Sequence, residues 1–120
     1  MSAGLKNKGY LDPRTCWKLW HVEEHSLRGV QRRFQRDGVT NPKTDQSPTK
    51  SGIEKAAFMW AIHNQAEAKK DLEYAWAREG EVLDDERWTE FLVNASRLAF
   101  FHRPGRLEKF LRENGLEDYI

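Results

Sequence analysis

The sequence predicts an all-α protein, a compact bundle of five or six helices, and three observations carry that expectation. Apolar residues recur at helical spacing, as in Ile53, Ala56, Ala57, Trp60 and Ala61. Residues that start or stop helices bracket each such stripe. No apolar–polar alternation of useful length is present to lay down a strand. A chain of 120 residues suits one core, so the expected organisation is an N-terminal tail over 1–11 and a single helical domain over 12–120. Five tryptophans and 12% aromatic residues argue for a packed interior despite a mean hydropathy of −0.86.

Asp12-Pro13 reads as an N-cap followed by proline at the first helical position, where its missing N–H costs nothing. Cys16, Leu19 and Trp20 then share a face. Ser26 reads as a fresh cap. Leu27, Val30 and Phe34 form the apolar stripe of a second helix ending near Asp37-Gly38, with Arg28, Arg32 and Arg36 opposite and Arg33 between them. After a polar connection over 38–48, Ser51-Gly52-Ile53-Glu54 fits a capping box. Phe58, Met59 and Ile62 depart from the main stripe of the third helix, which is therefore apolar nearly all round and expected to be central. Asn64 with Glu67 is a second capping signal, so that helix either breaks near His63-Asn64 or runs on to Gly80. Asp84 or Asp85 caps the next helix, whose stripe is Trp88, Phe91, Leu92, Ala95, Leu98 and Ala99. Pro104-Gly105 ends it. Leu107, Phe110 and Leu111 mark a last helix that Asn114-Gly115 closes.

Several function classes are disfavoured. No stretch approaches the roughly 20 apolar residues that cross a bilayer, and the N-terminus holds no apolar run of the signal-peptide kind. The single cysteine, Cys16, permits no internal disulfide, so a cytoplasmic location is expected. Cys16 reads as a small core residue rather than a nucleophile. Glycine-rich phosphate loops are absent. His21-Val22-Glu23-Glu24-His25 satisfies H-x-x-E-H, a zinc-peptidase pattern. Ser26, however, ends the helix at the second histidine, and the pattern is cheap in a chain of this composition. Asp84-Asp85-Glu86 is what a helix macrodipole favours in a first turn. No catalysis, metal or cofactor is expected.

Charge is unevenly spread. Residues 1–56 hold eleven lysines and arginines against six acids, and residues 57–120 hold nine against thirteen. A basic front half fits an anionic partner. Residues 26–62, a short basic helix, a connection and a second helix, resemble the core pair of a helix-turn-helix domain. That resemblance implies phosphate contacts from the first helix and groove contacts from the start of the second. The connection is longer than the 3 to 4 residues usual for that motif, which sets the docking geometry apart from it. Arg28, Arg32, Arg33 and Arg36 are the expected phosphate contacts, with Asn41, Lys43, Thr44, Thr49, Lys50 and Lys55 on the connection and the first turn beyond it. The expected function is non-catalytic nucleic-acid binding, with double-stranded DNA as the first candidate. The alternative is a helical adaptor or inhibitor that docks on a larger protein or nucleoprotein complex. For that role Phe58, Ile62, Phe100 and Phe101 are the candidate contacts, since adjacent or off-stripe aromatics need a second surface to bury them.

Overall fold

Asp12 caps the first helix in a computed structural model that describes residues 11–120. Its side chain accepts the Thr15 N–H at 3.3 Å and opens α1 (Pro13–Trp17). The helix then widens: Lys18–Val22 form one π-helical turn, closed by the Glu23 N–H on the Lys18 carbonyl at 2.8 Å. Cys16, Trp17 and Leu19 are buried, and the half-buried Trp20 packs against the same cluster. Of the expected tail, only Leu11 lies within the described residues, and it packs on the core around Trp17.

Ser26 caps α2 (Leu27–Arg36) by accepting the Gly29 N–H at 3.0 Å. Val30 and Phe34 point inward, and the helix closes at Gly38, whose φ of 72° lies in the left-handed region. The Val39 N–H returns to the Phe34 carbonyl at 2.9 Å, a closure that favours glycine. A Cβ at Gly38 meets nothing within 4 Å. Gly38→Ala is therefore expected to lower stability by about 1 kcal/mol through backbone strain alone, measurable by urea titration.

The connection that follows is ordered by its own hydrogen bonds. The Asn41 N–H reaches the Gln46 carbonyl at 2.9 Å, and the Asn41 side chain accepts the Lys43 N–H at 2.9 Å. Gln31 Nε2 on α2 donates to the carbonyl of the buried Pro48 at 3.0 Å, which pins the exit of the loop. The chain turns into α3 (Lys50–His63) at Thr49, not at Ser51 as the capping-box pattern predicts. Thr49 Oγ1 accepts the Gly52 N–H at 3.0 Å. A Cβ at position 52 would lie 3.1 Å from that oxygen, so glycine there gives the hydroxyl its close approach.

Asn64 breaks the helix. Its φ of −133° stops the α conformation, and its Nδ2 donates back to the Trp60 carbonyl at 2.9 Å instead of capping the next helix. α4 (Gln65–Arg78) follows at once. Asp84 then caps α5 (Asp85–Ala99) through the Arg87 N–H at 2.8 Å. α6 (Pro104–Glu113) closes at Gly115, and a short 3₁₀ turn, Glu117–Tyr119, ends the chain. The architecture is all-α, with six helices and no strand among the described residues. None of these helices is long and apolar enough to cross a membrane.

α3 is the central element, as its all-round apolar character requires. Ile53, Ala57 and Ala61 face a cluster with Cys16 and Trp17 of α1, Val30 and Phe34 of α2, and Leu72 of α4. Phe58 and Ile62 face a second cluster with Leu92, Ala95 and Ala99 of α5 and Phe100 beyond it. Three of the four expected partner contacts are thereby consumed by the fold itself. Phe58, Ile62 and Phe100 are 6%, 3% and 6% exposed, whereas Phe101 stands out at 66%.

Candidate nucleic-acid interface

The wet face of α2 follows from its stripe. With Val30 and Phe34 turned inward, residues four apart on the opposite side must line up, and Arg28, Arg32 and Arg36 are all exposed. Arg33 is exposed as well, but lies 3.9 Å from the Asp37 carboxylate. The other three have no ion-pair or hydrogen-bond partner for their guanidinium groups among the described residues. Like charges one helical turn apart repel and destabilise an isolated helix by a few tenths of a kcal/mol per pair. Four arginines on other elements are paired. Arg14, Arg78, Arg87 and Arg112 each pair with a glutamate, at 3.5, 3.5, 3.1 and 2.9 Å.

Beyond α2, the expected contacts divide into two kinds. Lys43, Lys50 and Lys55 are exposed with no carboxylate partner among the described residues. Asn41, Thr44 and Thr49 instead spend their acceptor oxygens locally. Asn41 Oδ1 holds the Lys43 N–H, Thr44 Oγ1 accepts the Gln46 N–H at 3.4 Å, and Thr49 Oγ1 caps α3. Their job is to shape the loop that carries the lysines.

The head of α3 forms one wall of a cleft of about 520 Å³, and the corner between α5 and α6 forms the other. Thr49 and Lys55 face Phe101, His102 and Arg103 across it. The Phe101 and His102 rings meet edge to face, with centroids 4.7 Å apart. Two residues expected in separate roles, Lys55 and Phe101, thus line one cleft, together with the acid Glu54. His102 and Arg103 are additions that the sequence reading missed. Their only local signal was a basic pair after two phenylalanines, and nothing in the sequence placed that corner beside α3. Arg103 and Arg106 are also without a side-chain partner among the described residues.

The residues weighed for other chemistry are accounted for by the fold. Cys16 is buried, and burial first, then the Asp12 charge, pushes its thiol up to about 12, so it stays protonated at neutral pH. α-Helical spacing does not join His21 to His25, because the π turn ends at Val22 and Glu24 leaves it with a φ of 58°. Among the described residues no three histidine, cysteine or acidic side chains are placed to hold a metal ion.

Fold and surface together define an all-α protein with three arginines along α2 unpaired among the described residues and exposed lysines on its following loop and the head of α3. No protein-family model matches the chain, and neither a curated protein nor a solved structure matches it.

Proposed function

We propose that the protein is a non-catalytic nucleic-acid-binding protein that meets duplex DNA with α2, the loop over 38–48 and the first turn of α3. The observation that carries this reading is the row Arg28, Arg32 and Arg36, three exposed guanidinium groups one helical turn apart on α2, none with a carboxylate partner among the described residues. Phosphates relieve the repulsion along such a row, and released counterions supply the driving force. Lys43, Lys50 and Lys55 extend the same contact, and the Gln31–Pro48 hydrogen bond holds the loop in register with α2. In this reading the basic pair of helices serves as in a helix-turn-helix protein, with the longer loop taking a larger share of the phosphate contacts.

The test is binding to a random-sequence duplex at rising salt. Engagement of three to five phosphates gives a log–log slope of about −3 to −5. Changing Arg28, Arg32 and Arg36 together to glutamate is expected to weaken binding at least about a hundredfold, because three attractions become three repulsions. The helix should remain, since all three side chains are exposed. Absence of any shift at micromolar protein in about 50 mM salt would sink the proposal.

A second reading has its own observation. Leu98 and Phe101 are 45% and 66% exposed beside the cleft at the head of α3, an apolar edge of the kind that docks on another protein. An adaptor of this sort would keep its partner after nuclease treatment and lose it with Phe101→Asp.

A further inference from the structure

On the side of α4 a second cleft, of about 550 Å³, opens between that helix and the π turn. It differs chemically from the basic surface. Leu72 and Ala75 supply apolar lining, the indoles of Trp20 and Trp76 flank it, and Glu24 and Glu79 stand at its mouth. His21 forms part of its wall. Its Nε2 is enclosed with no hydrogen-bond partner, an arrangement that costs stability in a fold with no use for it.

The charges at the mouth are arranged unequally. Glu24 pairs with Arg78 at 3.5 Å, and Glu81 pairs with Arg87 at 3.1 Å. Glu79 has no cation partner within ion-pair distance among the described residues. The Glu24 carboxyl beside it raises the Glu79 pKa, by contact first and then by its charge, while the Arg78 charge opposes that rise. Glu24 reaches this position with a φ of 58°, an unusual conformation for a residue with a side chain. The lining also holds cationic groups of its own: the Arg87 guanidinium, paired with Glu81, lies 5.5 Å from the centroid of the Trp76 ring, and His25 lines the same cleft.

We propose that this cleft binds an organic cation, an ammonium or guanidinium group on an apolar stem, with the charged head between Glu24 and Glu79 and the stem against Trp20 and Trp76. The head meets the carboxylates at the mouth, and the indoles supply cation–π attraction and apolar cover. A metal ion fits less well, because the described residues offer no group of three suitable ligands. The proposal is independent of nucleic-acid binding, which uses the opposite sign of charge on other helices.

The experiment is NMR titration of the full chain at neutral pH, following the indole N–H signals. Agmatine is the probe for a free amine. A capped tripeptide centred on arginine is the probe for a side chain of a partner. Saturable movement of the Trp20 and Trp76 signals by either probe supports the proposal, and the tighter probe identifies the source. Glu79→Gln should weaken binding by about tenfold or more without changing the thermal midpoint by more than a degree or two, because Glu79 is exposed. Glu79→Lys should abolish binding. The affinity should also fall as pH is lowered through the raised Glu79 pKa. No saturation by about 10 mM of both probes, or equal affinity in Glu79→Gln, would overturn it.

Discussion

Trp17→Ala is expected to cost about 3–5 kcal/mol of folding stability, a large part of the roughly 5–15 kcal/mol typical of a folded domain. Trp17 is 0% exposed and is the largest of the fully enclosed side chains. Its ring centroid lies 5.9 Å from Trp60 on α3 and 5.7 Å from Phe91 on α5. Its Nε1–H donates to Asp71 Oδ2 on α4 at 3.0 Å. One side chain on α1 therefore touches three other helices, two by packing and one by a hydrogen bond to a carboxylate. Alanine removes the apolar contact and leaves a cavity that helices held by other contacts cannot fill. Trp17→Phe separates the two parts: it keeps an aromatic ring but deprives Asp71 of its donor, for an expected loss of about 1–3 kcal/mol. Urea unfolding followed by far-ultraviolet circular dichroism measures both. A loss below about 1 kcal/mol for alanine would show that the helices pack independently of Trp17.

Local features of this fold were legible because local physics decides them. The α2 stripe, the Ser26 and Asp84 caps and the left-handed closures at Gly38 and Gly115 each need only a few neighbouring residues. The start of α3 shows where that reasoning stops. Hydroxyls at 49 and 51 both offer a cap, and the choice falls to Thr49 because Gln31 pins Pro48 from another helix. The all-round apolar character of α3 predicted a central helix, but not which side chains would meet which partner. Phe58 and Ile62 turned out to be inner contacts of α5, while Phe101 was left outside. The π turn is invisible to a wheel drawn at regular spacing. Neither cleft was legible, since each joins segments distant in sequence, residues 49–55 with 98–103 and residues 20–25 with 72–87.

Acid should destabilise the protein through His21. Burial pushes the His21 pKa down from 6.5 to about 4. The ring lies among Trp17, Trp20, Phe58 and Phe91, with centroids 4.5, 4.3, 5.8 and 5.6 Å away. The folded state therefore holds the imidazole neutral where the unfolded chain would protonate it. Above pH 6.5 both states are neutral and the full stability is present. Between pH 6.5 and about 4 the unfolded state takes up the proton first, so stability falls as pH falls. Below about 4 both states are protonated and the loss stops growing, at about 3 kcal/mol. Glu79 works in the opposite direction: its folded pKa is raised, so protonation favours the folded state, and the Glu79→Gln background removes that contribution. His21→Phe should flatten the His21 part of the profile. It should also raise stability at neutral pH by about 1–2 kcal/mol, because an enclosed nitrogen without a partner is exchanged for carbon in an aromatic setting. If the phenylalanine variant is instead less stable at pH 7, Nε2 has a partner in solution, and the wall of the acidic cleft is held by a hydrogen bond rather than by packing.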